Sequence, residues 1–305
     1  MTRRRLIVGY ILVAAGAALF SSKAIFVKLA YVERSDAALM LAWRMMVALP
    51  FFAAIGILAW RARRAAGVPV PAALTVRALL TGFIGYYLAM ILDFKGLIFI
   101  SAQLERLVLF TYPVFVMLLG AAFFGGRLSL RGLAAAAVTY VGLAAVFAAD
   151  MSEGNADVAT GTGLVLGSAL AFALYQLLAK HLIAAMGSTL FTSLALSAAA
   201  VAGIAHFAVV SGGFDLTVTP HYFLLAAGTG IFATVLPSFL VNAGMARIGP
   251  QSTAMISILS PLLTIYFAVV FLGESFTFFD AIGTALILGG IGFYTWDDLR
   301  SPAAQ

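Results

Sequence analysis

Four full charges stand in stretches of chain that are otherwise apolar: Lys23, Arg44, Glu105 and Arg106, with Lys28 a fifth nearer a segment end. Glu105 and Arg106 are neighbours in "ISAQLERLVLFTYP" (100–113), just ahead of Pro113. A charge in an apolar setting needs a counter-charge, hydrogen bonds or a ligand. Three kinds of chemistry fit these types. An acid and a base can lock helices together, an arginine can hold a carboxylate or phosphate through two parallel N–H donors, and a buried glutamate can carry a proton. Covalent and metal chemistry find little support. There is no cysteine, no HExxH, DDxxD or GxSxG pattern, and His181, His206 and His221 lie on separate segments. No enzyme activity, cofactor or metal is expected.

The elements that must position these charges follow from composition. The 305 residues are 63% hydrophobic and only 10% charged, with a mean hydropathy of +1.08. Soluble domains carry about 25% charged residues. Ten apolar runs recur, near 6–29, 37–60, 76–93, 100–124, 133–149, 163–183, 189–210, 222–242, 252–272 and 280–294. The connections are short and leave no soluble domain over. The expectation is an all-α integral membrane protein of ten transmembrane helices. The basic start of the chain, "MTRRRLIVGY", resembles a signal peptide, but the long apolar run and the nine runs after it favour an uncleaved first helix.

The net charge of +6 is distributed by side rather than clustered for nucleic acid, and no nucleic-acid partner is expected. If the amino terminus is cytoplasmic, 12 of the 18 bases fall in cytoplasmic segments, among them Arg3 to Arg5, Arg61, Arg63, Arg64, Arg127 and Arg131. Arg34 and Lys95 are the outer ones, and "DMSEGNADVATG" after the fifth run has no base. On this pattern both termini are expected inside, and the expected location is a bacterial inner membrane.

The halves 1–150 and 151–305 match each other. At an offset of 148, Gly82 falls on Gly230, Gly96 on Gly244, Gln103 on Gln251, Pro113 on Pro261, Gly125 on Gly273 and Gly142 on Gly290. An offset near 151 lays "GAALFSSKAIF" over "GSALAFALYQL". Five spans per half make the copies inverted, which places a substrate site near the midplane between them. Ten spans, two five-helix halves and the paired prolines resemble the drug/metabolite transporter superfamily of EamA type. "FLGESFTFFDAIGTALILGGI" (271–291) is similar to its signature for helices nine and ten, and "LAWRMMVALPFF" (41–52) to its arginine-bearing second helix. The resemblance implies a transporter of amino acids, other metabolites or drugs. The signature's glutamate is Glu274 in the second half but Gly126 in the first, which suits a turn or cap better than a transport role.

Counting inward at 1.5 Å per residue puts Lys23, Arg44, Glu105 and Arg106 about 8–10 Å below the outer surface. Three bases against one acid give the cluster a charge of +2, with no counterpart in the second half, where the matching positions read Leu174, Thr253 and Ala254. Arg106 and Lys23 are read as anchors of an anionic group in a central cavity. Glu105 and Arg44 are read as a charge network or coupling pair, with Glu105 turned to Lys23 or Arg44. Gln103, Phe110, Tyr112, Tyr175, Gln176, Ser257 and Ser260 are read as further cavity residues, and Trp43, Tyr86 and Tyr87 as candidates beside them. Pro113 and Pro261 are read as kinks that free a backbone carbonyl each. The expected function is export of a small metabolite such as an amino acid by alternating access, as a monomer or homodimer. The alternative is efflux of amphipathic drugs, with the cluster structural.

Overall fold

The computed structural model describes residues 3–125, 130–152, 157–257 and 259–300. The described chain is helical throughout, with no strand. Ten apolar segments make up the bundle: α1 Leu6–Tyr31, α2 Ala37–Ala65, α3 Ala72–Phe99, α4 Ala102–Phe123, α5 Leu130–Ala148, α6 Val158–Met186, α7 Ser188–Val210, α8 Pro220–Val241, α9 Leu259–Leu272 and α10 Phe278–Phe293. The first eight are long enough to cross a bilayer, and α9 and α10 are shorter. Helical backbone continues from α8 to Ser257. Leu58, Leu80, Leu224 and Phe279 turn outward and are about 60% exposed or more, as a lipid-facing wall requires.

Polar residues between the runs set the helix starts. The Asp36 carboxylate accepts from Leu39 N at 3.0 Å, Ser101 Oγ from Leu104 N at 3.0 Å and Thr219 Oγ1 from Tyr222 N at 3.0 Å. Thr277 and Asp280 cap α10 reciprocally, Thr277 N donating to Asp280 Oδ2 at 2.7 Å and Asp280 N to Thr277 Oγ1 at 3.3 Å. Gly125 and Gly273, matched in the repeat, end α4 and α9 at φ +71° and +68°, where a side chain would be strained.

The halves are joined by equivalent packings. A Cβ at Gly96 would lie 3.0 Å from the Gly161 carbonyl and collide with Val165. A Cβ at Gly244 would lie 2.9 Å from the Gly9 carbonyl and collide with Val13. The contact of α3 with α6 is thus repeated as that of α8 with α1, each by close backbone approach at small residues. Helices α2 and α7 pack on each other, as do α5 and α10. The glycine pairs put Gly9 over Gly161 and Val13 over Val165, an offset of 152. Tyr175, and not Leu174, is therefore the counterpart of Lys23.

Several helices are not regular. Residues Phe83–Leu88 of α3 and Ile231–Val235 of α8 form π turns at the same repeat position. Helix α1 breaks between Ser21 and Lys23. Helix α4 breaks at Phe110–Thr111, so Pro113 opens the second segment, Tyr112–Phe123, where its missing N–H costs nothing. Pro261 lies within Leu259–Phe267 and is buried.

Candidate functional site

The break in α1 builds one wall of the site. It opens the carbonyls of Phe20 and Ser21, which in a bilayer must be met by other groups. Arg106 Nη2 donates to the Phe20 carbonyl at 3.0 Å, and Thr264 Oγ1 lies 3.2 Å from that of Ser21. Arg106 Nε donates to Thr264 Oγ1 at 3.0 Å, so α4 and α9 close over the gap in α1. Ser21 Oγ reaches the Ser260 carbonyl and hydroxyl, each at 2.9 Å.

Just past the break stands Lys23. Its ammonium meets Asp93 Oδ2 at 2.5 Å and Glu105 Oε1 at 2.9 Å, joining α1, α3 and α4. Glu105 turns to Lys23, not to Arg44. Lys23 is therefore not the unpaired cation its surroundings in the sequence suggest. Asp93 is the residue that sequence reasoning missed. The apolar run in the sequence ends at Asp93, whereas α3 continues through "FKGLIF" to Phe99, which puts both Asp93 and Lys95 inside the helix. With Asp93 counted, three bases face two acids and the cluster carries +1 rather than +2.

Arg44 is 3% exposed and donates from Nε to Thr234 Oγ1 at 2.8 Å. Thr234 in turn donates to the Thr229 carbonyl five residues back at 2.8 Å, the spacing that the π turn of α8 creates. The guanidinium also lies over the Phe94 ring, 5.2 Å from its centroid. Among the described residues, neither Arg44 nor Arg106 has a carboxylate within 4 Å.

These groups surround a cavity of about 270 Å³. Lys23, Arg44, Asp93 and Arg106 form its charged end. Phe20, Tyr86, Phe110, Tyr112 and Phe172 form an aromatic wall, with Ser168 and Ser260 among the few neutral polar groups. Along α3 the lining runs from Gly85 to Asp93, about 12 Å at 1.5 Å per residue. The cavity is polar at one end and apolar over most of its length, with room for a small amphiphilic molecule.

The other expected residues are distributed differently. Gln103 leaves the cavity, because its Nε2 donates to the Ser275 carbonyl at 2.9 Å. Tyr175 sits one layer back, stacked on Phe172 and Phe191, and its hydroxyl donates to Tyr86 at 3.3 Å. Gln176 lies on the exposed side of α6. The side chain of Ser257 and all of Gly126 lie outside the described residues. Glu274 caps a helix of the opposite half. Its two oxygens accept from Ala102 N at 2.7 Å and Gln103 N at 3.1 Å, at the start of α4.

Comparison with known proteins agrees with this architecture. The model of the EamA-like transporter family matches residues 7–148 and again 159–296, one copy on each half of the bundle. The chain belongs to the EamA-like transporter family. A relative from Bacillus subtilis (strain 168), the "Uncharacterized transporter YcbK", is 30% identical over 293 residues, covering 93% of this chain and 90% of its own. A crystal structure of 19% identity superposes over 99% of this chain and 100% of its own with a TM-score of 0.60, a likeness of fold. This EamA-like chain is thus a multi-pass membrane transporter of ten helices in two inverted repeats.

Proposed function

We propose that this transporter exports a small metabolite bearing a carboxylate, with an amino acid the leading candidate. The observation that carries the reading is the pair of guanidiniums on the cavity wall, Arg44 and Arg106, with no carboxylate within 4 Å among the described residues. Lys23 is satisfied by Asp93 and Glu105, so the anionic group belongs to the arginines. The aromatic wall takes the apolar part of the molecule. The halves 1–150 and 151–305 rock about the cavity in alternating access, in a bacterial inner membrane with both termini cytoplasmic, and the chain works as a monomer or homodimer.

Uptake into inverted vesicles tests the reading. Arg106→Gln and Arg44→Gln should each weaken carboxylate binding by tenfold or more, since a charge-assisted hydrogen bond contributes about 1.5–3 kcal/mol, with folded yield retained. The second reading, efflux of amphipathic drugs, rests on Phe20, Tyr86, Phe110, Tyr112 and Phe172. It replaces the first if both arginine variants transport normally while Tyr112→Ala and Phe172→Ala do not. Reporters placed within 151–160 and after 300 should read outside and inside; the reverse sinks the orientation.

A further inference from the structure

On the side of the bundle where α2 ends and α7 begins, the two helices leave a groove of about 390 Å³ between them. Along α2 its lining falls on two adjacent rows spaced by four, Phe52, Gly56, Trp60 and Arg64 beside Ala53, Ile57 and Arg61. Ser193, Leu194 and Ser197 of α7 form the other bank. Gly56 keeps the backbones close at the floor, where an added Cβ would lie 3.1 Å from that of Ser193. From Phe52 to Arg64 the groove runs about 18 Å at 1.5 Å per residue, close to the roughly 15 Å of half a hydrocarbon core. Its deep part is apolar and its end is basic. Arg61 and Arg64 are exposed and make no hydrogen bond or ion pair among the described residues. Arg63, between them, is already used: its guanidinium donates to the Met186 and Ala185 carbonyls at 3.1 and 3.2 Å. Ser193 is 2% exposed, and its hydroxyl has no hydrogen-bond partner among the described residues.

We propose that this groove holds one acidic phospholipid, its phosphate on Arg61 and Arg64 and an acyl chain against Phe52, Ala53 and Ile57. The inference is independent of the substrate reading above; in the orientation proposed there, the lipid belongs to the cytoplasmic leaflet. Orienting the chain asks for basic residues near a helix end. It does not ask for a groove of leaflet depth beside them, nor for a buried hydroxyl with nothing to bond. Buried polar groups are satisfied in the great majority of cases, so Ser193 Oγ needs a partner. Ser193 stands five residues into α7, about 8 Å from its start, and so lies deeper than the arginines, as an ester carbonyl lies deeper than its phosphate. Two guanidiniums a turn apart offer several N–H donors to phosphate oxygens. A zwitterionic headgroup would bring its own cation against the same arginines, which favours an acidic lipid. Trp60 has the amphipathic ring that suits the level between headgroup and chain. Because α2 belongs to the first repeat and α7 to the second, the bound lipid bridges the halves.

Quenching of Trp60 by brominated lipid tests the site. The full chain carrying Trp43→Phe and Trp296→Phe keeps Trp60 as its one tryptophan. It is placed in phosphatidylcholine nanodiscs, and brominated phosphatidylglycerol or brominated phosphatidylcholine is titrated in. Phosphatidylglycerol should quench with about tenfold higher apparent affinity, since each basic residue at a membrane surface contributes roughly fivefold toward an acidic lipid. Arg61→Gln with Arg64→Gln should bring the ratio near one. Ala53→Phe fills the groove, leaves both arginines, and should also lower the ratio severalfold. Arg77→Gln, on α3 at the same side of the bundle, should leave it unchanged. Equal quenching by the two lipids in the parent chain overturns the proposal. So does an unaltered ratio in Ala53→Phe, because charge would then act without the groove. A loss in Arg77→Gln as large as in the arginine pair also overturns it, because the attraction would belong to the whole basic surface. Should Ala53→Phe not fold, native mass spectrometry decides: wild type should retain one more phosphatidylglycerol than the arginine-pair variant, and equal numbers refute the site.

Discussion

Replacing Lys23 by methionine removes the one cation that two buried carboxylates share. Both ion pairs are short, 2.5 Å to Asp93 and 2.9 Å to Glu105, and the partner side chains are 5% and 0% exposed. Removing one member of a buried pair costs about 3–5 kcal/mol, because the charge left behind is neither solvated nor paired. Here two carboxylates are orphaned together, so the upper part of that range applies unless one takes up a proton. At roughly 2–3 °C per kcal/mol for a chain of this size, the melting temperature should fall by on the order of 10 °C. A thermal melt of the detergent-solubilised protein, followed by tryptophan fluorescence, gives the number. The triple variant Lys23→Met, Asp93→Asn, Glu105→Gln carries no charge in the triad and should recover most of the loss, since an isolated neutral network avoids the desolvation of ions. The reasoning fails if Lys23→Met melts within about 2 °C of wild type. It fails equally if the triple variant is no more stable than the single one, because the loss would then come from packing and not from unpaired charge.

Gly96→Ala and Gly244→Ala should each cost about 1–3 kcal/mol, since the added methyl meets a carbonyl at 3.0 or 2.9 Å and a valine besides; Gly163→Ala, with nothing within 4 Å, is the neutral comparison in the same melts. Glu274→Ala leaves Ser101 in place but removes the acceptor of the Ala102 and Gln103 amides at the start of α4, and should cost about 1 kcal/mol, read as a roughly fivefold gain in labelling of a cysteine placed at Ala102. Between the α1–α2 connection and the start of α8, Glu33 accepts from Thr219 and His221, and those hydrogen bonds hold its carboxyl below the ordinary 4.5. A depressed carboxyl stabilises above its unfolded value and loses that contribution as pH falls through the folded one. The tie should therefore persist at neutral pH and release below about pH 4.5; exchange protection of the 32–36 amides against pH measures it, and Glu33→Gln should flatten the curve.

The bundle was legible in the sequence because ten apolar runs and the 148-residue repeat are properties of composition and spacing, which the bilayer reads directly. The site was legible in part. Lys23, Arg44, Glu105 and Arg106 stand out against apolar neighbours, and depth counting brings them to one level. Asp93 did not stand out, because with Lys95 two residues on it resembles the polar end of a span; the apolar "GLIF" beyond it was the signal that the helix continues. Gln103 was misplaced because it shares a helical face with Arg106 and Phe110. Face sharing gives the direction in which a side chain leaves the helix, but the Gln103 amide answers to the Ser275 carbonyl, which helix periodicity does not specify. The role of Glu274 was half legible: a cap is what its place after α9 suggests, but its helix is in the other half of the molecule. The breaks at Ser22 and Phe110 and the π turns carry no proline at their centres and leave no mark in hydropathy.

Of the three π turns among the described residues, the matched pair in α3 and α8 have the form of dislocations. Each holds one surplus residue in an otherwise regular coil, and a dislocation can glide by a residue through exchange of neighbouring hydrogen bonds, without the helix unwinding. One step of glide past a given residue turns it about 100° relative to the rest of the helix. In α3 the defect lies at Phe83–Leu88, immediately before the segment that carries Asp93. In α8 its twin contains Thr234, the support of Arg44. Rotation of a quarter turn is thus built in beneath Asp93 and beside the support of Arg44, so the charged end of the cavity can be rearranged by twisting two helices in place.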